Sequence, residues 1–208
     1  MYKMIKNLIF DMGNVVLDYT PRRIASFFTS DPDELDFLCR EVFSNKEWLS
    51  LDKGVMSEEQ AIESIVARVP EKYHELCRKV MGGWEEFFLP VEGTYEQLLL
   101  LKERGYKLYM LTNASLKVYE YRKNSPAFDL MDGMFVSADV HLLKPDPAIY
   151  LRMLEKFGLE AEECLFFDDV EVNVEAARKL GIHGHVFRKE PDEIIKTVEE
   201  YENRTRNE

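Results

Sequence analysis

The sequence predicts an α/β protein: a Rossmann-like core of parallel strands with one inserted, all-helical cap domain. Three observations predict it. From residue 94 onward, short apolar runs alternate with helical patterns, the grammar of βαβ units. Residues 20–90 carry helical periodicity only. A lone apolar run, Asn7–Phe10, lies on the far side of that helical block and belongs to the same sheet as the later runs. The predicted division is a core of 1–18 and 91–208, with a cap of 19–90 placed over the mouth of the sheet.

Asn7–Phe10 is apolar on both faces, as a buried parallel strand is. It stops at Asp11. Met12-Gly13-Asn14 follows, then a second apolar run to Asp18. An acid at the mouth of a buried strand, ahead of a tight polar turn, is a poor way to build a core and a good way to present a carboxylate. Pro21 opens a helix through Phe28. Asp31-Pro32-Asp33 starts the next, with Pro at the first helical position and Leu35, Leu38 and Val42 as its stripe, until Lys53-Gly54 breaks the pattern. Ser57-Glu58-Glu59-Gln60 is a capping box before Ala61, Ile62, Ile65 and Val66, and Pro70 ends that helix. A further helix is expected from Glu71 to Phe88, interrupted at Gly82-Gly83.

In the second half, a helix from Thr94 ends at Gly105. A strand over Tyr106–Leu111 stops at Thr112-Asn113, and a helix covers Ser115–Arg122. Met134–Ser137 is a short strand. Lys144-Pro145-Asp146-Pro147 turns into a helix through Phe157, closed by Gly158. A strand over Cys164–Phe167 stops at Asp168-Asp169, and a helix over Val172–Leu180 is closed by Gly181. Gly184–Phe187 is the last strand, followed by a helix from Asp192. Glu199–Glu208 reads as a solvated, fraying end.

Bulk properties exclude several classes of function. The 208 residues, 46% hydrophobic, suffice for one core and a modest insertion, and no repeat or low-complexity run interrupts them. The net charge of −12 is the wrong sign for a nucleic-acid binder. The most basic stretch, Lys117–Lys123, is interrupted by Glu120 and reads as a solvated helix face. An acidic chain that binds phosphate needs a local device: a cation, a lysine or backbone N–H groups. No run approaches the roughly 20 apolar residues of a membrane span, and the first apolar stretch is too short for a signal peptide. Cys39, Cys77 and Cys164 form no CxxC pair, which fits a reduced, cytoplasmic protein.

Three strands end alike: in Asp11, in Thr112-Asn113 and in Asp168-Asp169. Ligands of open α/β sheets sit outside the carboxyl ends of the strands. Three carboxylates, a hydroxyl, an amide and the loop residue Lys144 therefore converge on one pocket. Acids so close cannot all stay ionised without compensation. Oxygen-only ligands suit Mg²⁺, which keeps waters and binds a substrate phosphate, while Lys144 supplies a point charge. The expected partner is a small phosphorylated metabolite, with no nucleic acid or membrane involved and the chain a monomer or weak homodimer.

With these motifs in order, Phe-Asp-Met-Gly-Asn-Val, Leu-Thr-Asn, Lys144 before Pro-Asp-Pro, and Phe-Phe-Asp-Asp with Asn173 behind, the chain resembles haloacid dehalogenase (HAD) superfamily hydrolases with a helical cap after the first strand. The acidic motif resembles the branch of epoxide-hydrolase N-terminal phosphatases and sugar-phosphate phosphatases. The resemblance implies that Asp11 attacks phosphorus and forms an aspartyl-phosphate. Asp11, the Gly13 carbonyl and Asp169 would hold Mg²⁺. Thr112, Asn113 and Lys144 would bind the phosphoryl group, with Asp168 and Asn173 supporting them from behind. One departure matters: most family phosphatases carry a second aspartate, which protonates the leaving group, where this chain has Gly13. Asp18 is a candidate substitute acid, as are Glu47 and Asp52 of the cap. Other readings on the same fold are a 2-haloacid dehalogenase using Arg22 or Arg23, a phosphonate hydrolase using Lys46 or Lys53, and a slow or inactive phosphate-binding module. Phe43, Trp48, Trp84, Phe87 and Tyr19 are candidates to line a specificity site, and Tyr19–Thr20 and Pro90–Gly93 are candidate hinges.

Overall fold

The computed structural model describes residues 3–190 and 192–206. Its strands are β1 (Asn7–Phe10), β2 (Leu17–Asp18), β3 (Leu89–Pro90), β4 (Lys107–Thr112), β5 (Gly133–Val136), β6 (Cys164–Asp168) and β7 (His183–Val186). Five form one sheet in the order β5-β4-β1-β6-β7, and every neighbouring pair is parallel. β1 is central and fully buried, which is why Leu8, Ile9 and Phe10 are apolar on both faces of the sheet. Its pleat still sorts the side chains. Leu8 and Phe10 enter the core on one face, and Ile9 enters the core on the other. The second face is filled by Ile149, Tyr150 and Met153 of the helix Pro147–Phe157 and by Ala176 and Ala177 of the helix Glu171–Lys179.

Between β2 and β3 the chain leaves the sheet as a helical insert with helices Pro21–Ala25, Pro32–Glu41, Lys46–Asp52, Glu58–Arg68 and His74–Met81. β2 and β3 pair antiparallel, Leu17 opposite Pro90, and join the two connections into a short ribbon. The apolar core of the insert, including Leu38, Ile65 and Met81, is continuous with the first face of the sheet. Among the described residues, no helix is long and apolar enough to cross a membrane. The three cysteines are free, and Cys164 packs within β6.

Several elements differ from expectation. The helix expected from Pro32 to Lys53 is two helices. Asn45 breaks it, because its side chain accepts from the N–H groups of Glu47 and Trp48 and starts a new helix there. The first cap helix ends at Ala25 instead of Phe28. The stretch 71–88 holds one helix flanked by 3₁₀ turns, Glu71–Tyr73 and Trp84–Phe87, with the break at Gly82-Gly83 as expected. Helix is retained over only Val118–Tyr121 of the expected 115–122. The end that reads as frayed is instead helical from Glu193 to Arg206. Ile194 and Val198 bury one face of it, and Glu199 is tied to Arg104 at 3.0 Å. Residues 207–208 lie outside the described residues.

Candidate active site

Parallel register builds the floor of the site. Phe10 is level with Phe167 on one side and Met110 on the other, so Asp11 emerges beside Asp168 and Leu111. Lys144 fills the space between the three strand ends. Its Nζ donates to Asp11 Oδ1 at 2.8 Å, Asp168 Oδ2 at 2.7 Å and the Leu111 carbonyl at 3.0 Å, so all three ammonium protons are used. Burial opposes the charge of Lys144, but attraction to Asp11 and Asp168 outweighs it and holds the pKa above its ordinary value. Burial acts in the opposite sense on Asp11. Together with repulsion from Asp168 and Asp169 it outweighs Lys144 and pushes the carboxyl up to about 7.

Asp168 is completely buried and fully engaged. It accepts from Lys144, from Asn173 Nδ2 at 3.1 Å and from the Val170 N–H at 2.8 Å. It anchors the lysine and does not reach out to ligand. Asn173 sits inside the first turn of its helix, whose cap position belongs to Val170, and holds Asp168. Asp169 is less buried and accepts from Asn14 Nδ2 at 3.0 Å, and burial raises its pKa too.

Carboxylate oxygens of Asp11, Asp168 and Asp169 lie within 4.8 Å of one another. Three carboxylates against the single ammonium of Lys144 leave two negative charges. That deficit, an all-oxygen donor set and two carboxyls with raised pKa values fit a hard divalent cation such as Mg²⁺. The Gly13 carbonyl accepts no hydrogen bond among the described residues, since the turn closes through Leu17 N–H to Met12 O and Asn14 N–H to Leu17 O. It remains available to such an ion, and Asp168 does not, because its lone pairs are taken.

The pair expected to bind phosphate lies beside the lysine loop. The Asn113 amide donates to Lys144 O at 3.0 Å, and its carbonyl accepts from Lys144 N–H at 2.8 Å. This two-point clamp positions the lysine loop with one of the two amide N–H groups, and Asn113 lines the cleft. Thr112 ends β4 only 1% exposed, and the cleft surface there is formed by Asn113, Ala114 and Ser115.

Above this floor lies a cleft of about 210 Å³, walled by Tyr19, Trp48, Trp84, Phe88 and Tyr121. Of the five aromatic residues named from sequence, Phe43 and Phe87 do not line it. Phe87 instead stacks on Phe27 at 4.3 Å. One carboxyl on the helical side lines the cleft, that of Asp52. Burial, with a smaller contribution from the Asp11 charge, pushes it up to about 8 against a hydrogen bond from the Ser115 N–H. The other two candidate acids, Asp18 and Glu47, are engaged with other partners. Asp18 bonds Arg23 at 3.0 Å, Lys189 at 2.9 Å and Thr20 at 3.1 Å. Burial would raise its pKa, but these partners hold it below the usual carboxylate range. Glu47 is buried away from the cleft; burial is likewise outweighed by Ser64 and Arg68, and its pKa is lowered.

Sequence reasoning missed Asn14 and Lys189. Asn14 adopts the left-handed conformation, φ 57°, which asparagine tolerates. Its amide holds Asp169, and its carbonyl accepts from Lys189 and from the Tyr19 N–H. The Gly-Asn dipeptide signals the turn; the partner 175 residues away has no local signal.

Residues 5–181 match the family model described as haloacid dehalogenase-like hydrolase. The chain is 27% identical over 183 residues to a sesquiterpene phosphatase of Aspergillus oryzae, covering 86% of this chain and 88% of the relative. It is 28% identical over 182 residues to a phosphorylated carbohydrates phosphatase of Thermotoga maritima, covering 84% and 81%. A HAD family enzyme of Bacteroides thetaiotaomicron, solved with magnesium and inorganic phosphate, superposes with a TM-score of 0.68 at 26% identity over 89% of this chain and 95% of that one.

Proposed function

The chain belongs to the haloacid dehalogenase-like hydrolase family, and on that premise we propose that it is a magnesium-dependent phosphatase that cleaves a small phosphorylated metabolite through an aspartyl-phosphate. The observation that carries this reading is the charge of the strand-end cluster: Asp11, Asp168 and Asp169 around one lysine, two negative charges in excess. Asp11, Asp169 and the Gly13 carbonyl would hold the ion, which supplies positive charge to the transferring phosphate oxygens. Asp11 Oδ1 is held by Lys144, which leaves Oδ2 to attack phosphorus. Asp168, Asn173 and Asn113 keep the lysine in place. The helical insert acts as the cap that excludes water from the cleft.

The rival chemistries lack their residues at the cleft. Arg22 is paired with Asp36, and Arg23 with Asp18 and the Phe87 carbonyl, so neither offers a guanidinium to a haloacid. Lys46 and Lys53 are exposed, and Lys144 is the lysine among the residues lining the cleft. On substrate, the aromatic wall favours an alcohol with a flat or apolar face over a fully hydroxylated sugar. The two phosphatase relatives bracket that choice.

The test is phosphate release from a panel running from benzyl and isoprenyl phosphates to pentose phosphates, with Mg²⁺ and with EDTA. Release is expected only with the metal, highest at the apolar end. Asp11→Asn should lower it by about 10³-fold or more. Full activity in that variant overturns the nucleophile, absence of turnover by wild type points to a binding module, and metal-free chloride release from 2-chloropropionate overturns the phosphatase.

A further inference from the structure

Resting on the phosphatase reading, one question is left by the floor of the site: where the leaving alcohol gets its proton. An alkoxide is a poor leaving group, and protonating it in the transition state contributes about 10²–10⁴-fold. The titratable groups in the cleft and in the floor beneath it can be taken in turn. Lys144 has spent its three protons on Asp11, Asp168 and Leu111. Asp168 is saturated by its donors, and Asp169 faces Asn14 and the ion site. Gly13 has no side chain. Burial drives the Tyr19 and Tyr121 hydroxyls well above their ordinary pKa, so they hold their protons too tightly. Asp52 remains.

Asp52 is fixed in place by the docking of the insert on the core. The Ser137 hydroxyl donates to the Asp52 carbonyl at 2.5 Å and itself accepts from the Ala114 N–H at 2.9 Å, which ties the segment to the loop after β4. His141 Nδ1 lies 3.0 Å from the Lys53 carbonyl. Gly54 presses on Ala138 so closely that a Cβ would lie 2.3 Å from the Ala138 carbonyl oxygen, and its φ of +69° also favours glycine. Three consecutive residues thus seat the tip of the insert against 137–141. Lys117 adds a second latch through Glu58 at 3.2 Å and Glu85 at 2.9 Å. The Ser115 N–H bonds the Asp52 side chain, so its carboxyl faces the cleft across from Asp11.

We propose that Asp52 is the proton donor of this enzyme, carried by the insert and delivered to the leaving group only when 52–54 docks on 137–141. In the first step the Asp11 Oδ2–phosphorus bond forms and the phosphorus–oxygen ester bond breaks. The ester oxygen takes the Asp52 proton and departs as the alcohol, leaving Asp52 as a carboxylate. In the second step a water oxygen bonds to phosphorus while that carboxylate takes its proton. The phosphorus–Oδ2 bond breaks, and phosphate, ionised Asp11 and protonated Asp52 are restored. The groups facing Asp52 are Asp11, Tyr19 and Tyr121. Of these, Asp11 opposes its ionisation, and no cation faces it among those partners.

The test is the first-turnover rate, by rapid mixing, on 4-nitrophenyl phosphate and benzyl phosphate, esters of similar size with a good and a poor leaving group. Asp52→Asn should lower the benzyl phosphate rate by about 10²-fold or more and the 4-nitrophenyl phosphate rate by less than about fivefold. A burst of nitrophenol should then precede a slow steady state, because the base of the second step is gone. The substitution is nearly isosteric, and melting at pH 8 should be no lower than in wild type. A carboxyl with a raised folded-state pKa loses stability as pH rises through it, and asparagine has no such loss. Equal loss on both esters, or loss on neither, overturns the assignment. A wild-type enzyme that turns over neither ester with Mg²⁺ overturns the phosphatase reading itself. As a second variant, Gly54→Val should undock the tip and reproduce the leaving-group dependence with Asp52 intact; equal loss on both esters there overturns the docking step.

Discussion

The two walls of the cleft are built on opposite rules. On the sheet side nearly every polar atom has a named partner: Lys144 with three acceptors, Asp168 with three donors, Asn113 clamping the lysine loop, Asn14 holding Asp169. On the insert side, Trp48 packs on Trp84 at 4.7 Å and Trp84 on Phe88 at 5.3 Å, and a single carboxyl is set among such rings. On the function proposed above, the difference separates two tasks. The sheet side would handle the phosphate, common to every substrate, and needs fixed charge. The insert would handle the alcohol, which varies, with shape and one proton. A change on the sheet side should therefore act on all esters alike, and a change on the insert side should discriminate among them.

Lys144→Met tests the first half of that comparison, with the largest effect. It leaves Asp11 without its cation, and Asp168 keeps only neutral donors. Activity should fall by about 10²–10³-fold on every ester, to a similar factor. Breaking a buried pair from one side costs about 3–5 kcal/mol, read by denaturant melts in EDTA at pH 8. The deficit should shrink toward pH 5. Lys144, with its pKa raised, stays charged across that window in wild type, while the carboxylates freed in the variant take up protons as pH falls. An effect that depends on the ester would break the proposed separation of tasks.

Trp48→Ala tests the second half. Its ring stands between Tyr19, Phe43 and Trp84 on the insert wall. KM for benzyl phosphate should rise by about tenfold, the scale of one lost aromatic contact, and KM for glycerol phosphate by less than about threefold. A uniform rise would mean that the wall orders the insert and does not read the alcohol.

What was legible in the sequence follows the same division. Asp11, Lys144, Asp168 and Asp169 stand out because parallel strands in register bring their ends together whatever the intervening chain does. Five neighbouring strands and the block of helices could be read from period and punctuation. The wall of the insert was named only in part, since Trp48 and Phe43 have the same helical spacing and only packing decides which ring faces the cleft. Asp18 and Asp52 are equivalent as letters. One lies beside Arg23 and Lys189, the other beneath aromatic rings with one N–H, and these neighbours come from segments up to 171 residues away. Asn45 inside a helical stripe was misread, and the lysine-loop clamp of Asn113 at a strand end was missed, for a related reason. An amide can cap, clamp or bind ligand, and only its partners distinguish the three.

The smallest expected effect concerns Gly13. A Cβ there would lie 3.8 Å from Asp11 Oδ2 and 3.8 Å from Tyr19 Cβ, ordinary contact distances, so the backbone admits a side chain. Gly13→Asp would place a second carboxyl beside Asp11 Oδ2, the oxygen proposed to attack, on the sheet side of the cleft. If the insert already supplies the proton, the addition is redundant. Its charge also joins a cluster already short of cations, which raises the cost of ionising Asp11. The first-turnover rate on benzyl phosphate should therefore change by less than about threefold, with the sign set by the Mg²⁺ concentration. Acceleration by about tenfold or more on benzyl phosphate, with 4-nitrophenyl phosphate unchanged, would mean that the proton had been limiting. The apolar wall would then be reading the alcohol without helping it to leave.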